Sequence, residues 1–240
     1  MKKNRSSAPI FDASKMLLSG SSSFAMQEAY KTMRTNIIFS LPGKGCKCIG
    51  IISANRGEGK SSIAANLSLS LAQLNKKIML IDCDMRLPTV ASKLGIQSVP
   101  GLSNYLSGDC SDVPIVHVEE LGIDVIPSGN IPPDTTALID SEEMKNLVAL
   151  LKSRYDFIVF DFPPVNVVSD AVMMSDQVDG YLVVMRHNFS ENKTIDEMLQ
   201  QLRLTKARVI GVAYNCKGTP KKYYKKSGYY YKYKYYKSHK

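Results

Sequence analysis

Short apolar runs recur along the chain, separated by longer stretches in which apolar residues return every third or fourth position. Six runs have the length and the Val/Ile content of buried strands: residues 48–53, 78–82, 123–127, 157–161, 180–185 and 209–214. Between several of them the spacing predicts helices, over 62–74, 141–154 and 191–204. An earlier helix is expected over 23–40, where Ala29, Met33, Ile37 and Ile38 share one face, and it stops at the loop signal Leu41-Pro42-Gly43-Lys44-Gly45. Continuous apolar strands alternating with helices predict an α/β fold, a parallel sheet covered by helices on both faces. A further edge strand is expected over 113–118. No internal repeat is visible.

In such sheets ligands bind beyond the carboxyl ends of the strands. The polar residues that interrupt the pattern fall there: Asp82 ends one run, Asp161 ends another, and a glycine-containing loop follows the first. That loop, Ala54-Asn55-Arg56-Gly57-Glu58-Gly59-Lys60-Ser61, matches a P-loop except that Ala54 stands where glycine is usual. Gly57 and Gly59 let backbone N–H groups face phosphate oxygens, and the helix that follows adds its positive N-terminal end. Lys60 supplies a point charge for the β- and γ-phosphates, and the Ser61 hydroxyl is a ligand for Mg²⁺. The whole stretch from Asn55 to Ser62 is therefore the expected nucleotide cradle, with Mg²⁺ as a companion ion.

Two aspartate motifs complete the picture. In Asp82-Cys83-Asp84-Met85-Arg86, two carboxylates two positions apart at a strand end can hold Mg²⁺ or accept a proton from an incoming hydroxyl. Arg86 can steady those carboxylates or the phosphates. In Phe157-Ile158-Val159-Phe160-Asp161-Phe162-Pro163-Pro164 an apolar strand ends in the acid that completes the metal site of many NTPases.

Charge changes the picture at one place. The chain has 240 residues and a net charge of +9. The last 24 residues hold nine lysines, eight tyrosines and no acid, so 1–216 is neutral. The basicity belongs to the tail, and a nucleic-acid role read from net charge alone would be misplaced. The tail tyrosines are Tyr223, Tyr224, Tyr229, Tyr230, Tyr231, Tyr233, Tyr235 and Tyr236. A segment of this composition builds no packed core and is expected to be disordered until bound. A nucleotide site joined to such a segment suggests a kinase acting on its own tail. The domain reading is a mobile arm over 1–21, a nucleotide-binding domain over 22–216 and a substrate tail over 217–240. Cys46, Cys48, Cys83, Cys110 and Cys216 form no C-x-x-C and no even framework, which predicts free thiols rather than zinc ligands. No apolar run approaches the ~20 residues that span a bilayer.

Taken together these motifs resemble the bacterial tyrosine autokinases of capsule and exopolysaccharide synthesis, the BY-kinases. That family combines a P-loop, a D-x-D-x-R motif, a strand ending D-x-P-P and a tyrosine cluster, and the likeness runs from about Ser23 to the end. It implies a fold related to the MinD/ParA ATPases, ATP with Mg²⁺ as cofactors, metal or base roles for Asp82, Asp84 and Asp161, and phosphorylation of the tail. It implies self-association through an E-x-x-R-x-x-R helix, here Glu28, Lys31 and Arg34, with lysine in place of the first arginine. It places Asn215 near the adenine base, and it makes Gly129-Asn130-Ile131-Pro132-Pro133 a structural loop. It also implies a ring or dimer, a separate membrane protein as activator, a tyrosine phosphatase that reverses the reaction, and a cytoplasmic chain recruited to the membrane's inner face. The competing readings are a MinD/ParA-type ATPase, which usually carries a lysine where Asn55 and Arg56 stand, and a nucleic-acid-binding ATPase using its Lys/Tyr tail.

Overall fold

The computed structural model describes residues 17–205 and 207–215. The eight tail tyrosines and Cys216 lie outside the described residues. The strands are β1 (Lys47–Ile52), β2 (Ile78–Asp82), β3 (Val116–Val118), β4 (Ile123–Ile126), β5 (Phe157–Asp161), β6 (Gly180–Arg186) and β7 (Val209–Asn215). They form one seven-stranded sheet in the order β3-β4-β2-β5-β1-β6-β7. All neighbours run parallel except β3, which pairs antiparallel with β4. The expected parallel sheet thus carries its further edge strand antiparallel. Only a short 3₁₀ turn, Glu119–Leu121, and Gly122 join β3 to β4, whereas a parallel crossover needs about a dozen residues or more. The edge strand is also shorter than expected, because Pro114 has no N–H to offer a ladder.

The helices are α1 (Phe24–Ser40), α2 (Lys60–Ala72), α3 (Val90–Leu94), α4 (Leu102–Leu106), α5 (Thr135–Ile139), α6 (Glu142–Lys152), α7 (Asp170–Met173) and α8 (Asn192–Arg203). Alternation along the strands sorts them into two layers. Ile49 and Ile51 of β1 face α1, α2 and α3; Cys48 and Ile52 face α4 to α8. The long helices form for local reasons. In α6 the Ser141 hydroxyl accepts the Met144 N–H at the N-cap, Glu142 and Glu143 sit in the first turn and Lys152 in the last, each matched to the helix dipole. Its buried face, Met144, Leu147, Val148 and Leu151, keeps helical spacing, and each such side chain contributes roughly 1.5–3 kcal/mol on burial. In contrast α2 is buried almost all round, from Ile63 to Leu71, as expected of a helix enclosed between the sheet and α1.

Packing begins within the segment expected as a mobile arm. Leu18 is buried, and its N–H donates to Asn66 Oδ1 of α2 at 2.7 Å. Phe162 is a core residue stacked on Phe160 with ring centroids 5.7 Å apart. Among the described residues no helix is long and apolar enough to cross a membrane, and Cys46, Cys48, Cys83 and Cys110 are free thiols.

Candidate active site

Sheet order brings the three motifs together. β1 lies between β5 and β6, with β2 beyond β5, so the 54–61 loop, Asp161 and Asp82 leave the sheet side by side at its carboxyl edge. The loop folds by positive backbone angles at Gly57 (φ +79°) and Gly59 (φ +102°), which side chains disfavour. A Cβ on Gly59 would also lie 2.1 Å from Asn215 Nδ2. Gly59 caps α2, whose first residue is Lys60, so the loop's N–H groups and the helix N-terminus face one concavity. Lys60 is buried, Ser61 and Ser62 are half-buried and Arg56 is exposed.

Several of the expected cofactor-binding residues spend their side chains on protein. Glu58 is fully buried, and one carboxylate oxygen accepts the Asn55 N–H at 2.8 Å while the other accepts the Ser190 hydroxyl. The Asn55 amide donates to Thr194 Oγ1 at 3.0 Å. The Asn215 amide donates to the Glu58 carbonyl at 3.0 Å, which puts the end of β7 against the phosphate loop. What the loop offers a ligand is therefore mainly backbone N–H, Lys60 and Ser61.

The facing wall is acidic. Asp82 and Asp161 are register partners on adjacent parallel strands, and both are buried. Asp82 is held by the N–H groups of Asp84 at 3.2 Å and Val90 at 3.1 Å. Burial, followed by the charge of Asp161, keeps its carboxyl well above the usual range. Neither oxygen of Asp161 makes a well-formed hydrogen bond. Burial pushes its carboxyl up to about 6, and the nearby Lys60 ammonium and Ser61 hydroxyl limit the rise. Asp84 is half-buried and accepts the Leu87 N–H at 3.1 Å. Burial raises its pKa as well, against the opposing pull of Leu87 N–H, Lys60, Arg56 and Arg86.

An oxygen-rich pocket with an orphaned buried carboxylate suits a hard divalent cation. Asp161 and Ser61 supply protein oxygens, with Asp82 and Asp84 beside them. Among the described residues no three His, Cys, Asp or Glu side chains gather as a metal cluster. Mg²⁺ takes few carboxylates and completes its shell with phosphate oxygens and water.

Arg86 is not where a phosphate clamp would need it. Its guanidinium donates to Asp170 Oδ2 at 2.6 Å and to Thr136 Oγ1 at 3.0 Å. Asp170 is fully buried and also accepts the Thr136 hydroxyl at 3.2 Å. The D-x-D-x-R turn is thereby tied to α5 and α7. The residues expected to drive self-association lie on α1, away from the crevice. Glu28 and Lys31 pair with each other at 2.8 Å on the surface. Arg34 donates to the Ser70 carbonyl in the last turn of α2, about 15 Å along that helix from Lys60.

The comparisons with known proteins agree with this geometry. A family model described as an AAA domain matches residues 46–211. The chain is 36% identical over 204 residues to tyrosine-protein kinase YwqD of Bacillus subtilis strain 168, covering 85% of each chain. It is 33% identical over 192 residues to tyrosine-protein kinase CpsD of Streptococcus agalactiae serotype III, covering 79% of this chain and 82% of the relative. The chain belongs to the bacterial tyrosine-protein kinases. Among solved structures it resembles the chimerical protein CapA2B2 with a TM-score of 0.78 and 31% identity, over 86% of this chain and 90% of that one. A likeness to the septum site-determining protein MinD of Pyrococcus horikoshii, at 22% identity and a TM-score of 0.59 over 70% of this chain and 69% of that one, shows the shared P-loop NTPase fold alone.

The chain is thus a tyrosine kinase on a P-loop fold. The sequence reading missed five residues around the kinase site: Thr136, Asp170, Arg186, Ser190 and Thr194. None belongs to a motif, and each acts through a partner distant in sequence. Only the interruption of apolar runs by single buried polar residues, as at Asp170, could have signalled one of them.

Proposed function

We propose that this kinase transfers the γ-phosphoryl group of ATP to the tyrosines of its C-terminal tail, between subunits, in the control of capsule or exopolysaccharide synthesis. The observation that carries the reading is the pairing of a preformed anion loop with an unsatisfied acidic wall, in a chain whose tail sequence is tyrosines interleaved with lysines. The 55–62 backbone and Lys60 bind the phosphates. Bound Mg²⁺ would neutralise charge on the β- and γ-phosphates, and Asp161 and Ser61 would hold it with Asp82 nearby. The tyrosine oxygen attacks the γ-phosphorus and the bond to the β–γ bridging oxygen breaks, leaving ADP. The phenol proton passes to a carboxylate. Of the two carboxylates in the D-x-D-x-R motif, Asp82 is fully buried and held by two N–H groups. Asp84, half-buried beside Lys60 and Arg56, is better placed to meet a hydroxyl, and we assign it that role, with Asp82 fixing its turn.

Chemistry also supports the regulatory part. The tail carries nine lysines, and each phosphotyrosine adds about −1.5 to −2. About five modifications would bring the tail near neutrality and weaken its attraction to an acidic crevice, so phosphorylation would loosen an assembly held by tail docking. The activating membrane protein, the phosphatase and recruitment to the membrane belong to the same reading and rest on the family resemblance.

The test mixes full-length Lys60→Met protein with active protein truncated after Cys216. Mass spectrometry should find phosphate on the Lys60→Met chain, confined to Tyr223–Tyr236. Absence of that phosphate despite demonstrated co-assembly would refute transfer between subunits. Asp84→Asn should lower the maximal rate about 10²-fold or more, in the range of a lost general base; a rate near wild type would return the proton to Asp82.

A further inference from the structure

The phosphate loop is braced from behind by the segment between β6 and α8. The Glu58 carboxylate sits inside the loop's base, fully buried, with Asn55 N–H on one oxygen and the Ser190 hydroxyl on the other. Ser190 Oγ also accepts the Arg186 N–H at 2.8 Å. That bond occupies the oxygen as an acceptor and leaves its single proton directed at Glu58. The Arg186 guanidinium returns to the loop, donating to the Gly57 carbonyl at 2.9 Å, and lies over the Phe189 ring at 4.9 Å. Thr194, in the first turn of α8, accepts the Asn55 amide at 3.0 Å and donates to the Glu191 carbonyl at 2.9 Å. Three residues of the loop, Asn55, Gly57 and Glu58, thus have partners within residues 186–194.

A carboxylate in this position is a hazard to anion binding. Deprived of a donor, a buried carboxylate oxygen seeks another, and the nearest supply is the set of loop N–H groups that receive phosphate. We propose that Ser190 is a positioning residue for nucleotide binding: its hydroxyl satisfies Glu58 and so keeps the 56–59 backbone N–H groups free and curled before nucleotide arrives. The inference rests on the reading of this loop as the ATP site. It places the control of phosphate affinity outside the P-loop motif, in a hydroxyl 132 positions away.

The experiment titrates the purified full chain with Mg-ADP and measures initial rates of tail phosphorylation against ATP concentration. Ser190→Ala should weaken ADP binding and raise the KM for ATP about tenfold, equivalent to ~1.4 kcal/mol, with the maximal rate within about threefold of wild type. Ser190→Thr, which keeps the hydroxyl, should stay within about twofold on both. Adding Glu58→Gln to Ser190→Ala should recover affinity, because the neutral amide competes less for the loop N–H groups; a merely structural Ser190 would give a further loss. Unchanged KM in Ser190→Ala, or a double variant weaker than the single, overturns the proposal. If Ser190→Ala does not fold, Ser190→Cys decides, because a thiol is only a weak donor to Glu58: a KM for ATP raised about threefold or more at an unchanged maximal rate supports the proposal, and an unchanged KM overturns it. Lys60→Met separates the two levels, since a Lys60→Met chain that still phosphorylates itself would sink the ATP-site reading whatever Ser190 does.

Discussion

The two walls of the crevice are built on opposite plans. On the β1–β6–β7 side every polar side chain of the phosphate loop's base is paired: Glu58 with Asn55 and Ser190, Asn55 with Thr194, Asn215 with the Glu58 carbonyl. On the β2–β5 side two like-charged carboxylates face each other in register, and Asp161 has no well-formed hydrogen bond. An anion site can be completed by protein alone, because backbone N–H groups are fixed and plentiful. A site for a cation and a reacting hydroxyl must keep acceptors in reserve, and reserved buried charge is costly. The first wall is therefore preorganised, and in the proposed function the second would be stabilised by the arriving ligand.

The comparison is broken most severely at the junction of the walls. Lys60→Met removes the buried ammonium beside Asp161, and tail phosphotyrosine should fall by about 10³-fold or more with the circular dichroism spectrum unchanged. Phosphorylation near the wild-type level would place the chemistry elsewhere.

Arg86→Lys probes how the acidic wall is held. A lysine cannot reproduce the fork that engages Asp170 and Thr136, so the Asp84 turn should lose its register. The maximal rate is expected to drop about tenfold, equivalent to ~1.4 kcal/mol on the barrier, while the KM for ATP moves less than about threefold. A KM effect equal to the rate effect would mean that Arg86 serves the phosphate side instead.

The reserve of unsatisfied charge has a pH signature. Asp161 in the folded chain titrates at about 6, above the ordinary value of roughly 3.9. Between those values the folded chain holds a proton that the unfolded chain has lost, so this group's contribution to stability falls as pH rises through the window. Without nucleotide, the melting temperature of wild type should decline from pH 4 to pH 6 more steeply than that of Asp161→Asn. At pH 8 the variant should melt higher than wild type without ligand and gain less from Mg-ADP. Parallel pH profiles for the two chains would show that Asp161 is not held in reserve.

The smallest effect is expected far from both walls. Arg34 caps an orphan carbonyl at the C-terminus of α2, an interaction of roughly 0.3–1 kcal/mol by charge and dipole. Arg34→Ala should lower the melting temperature by a few degrees at protein concentrations where the chain is monomeric. A loss seen only in assembled protein would assign Arg34 to the subunit contact.

Much of the crevice was legible before the fold was known, and particular residues show why. Gly57, Gly59, Lys60 and Ser61 announce themselves because an anion-binding loop needs fixed backbone angles at fixed spacing, and such requirements are local. Asp82 and Asp161 are visible for a similar reason: a single acid closing an apolar strand is out of place unless the strand end is used. The hydrophobic period likewise determined the six main strands and the four long helices, with boundaries off by at most two residues, but not the short helices α3, α4, α5 and α7; composition set the tail apart. Tertiary structure alone decided the rest. That Asp82 and Asp161 stand in register depends on β5 inserting between β1 and β2, which no local pattern encodes. Arg86 reads equally well as a phosphate ligand or a brace until Asp170, 84 positions away, is found beneath it. Glu58 looks like part of the nucleotide cradle until its carboxylate is seen bonded to Ser190. Apolar periodicity is repeated in every turn of chain, so it survives in the sequence; a buried polar group is satisfied by one partner at one place, and only the folded chain chooses which.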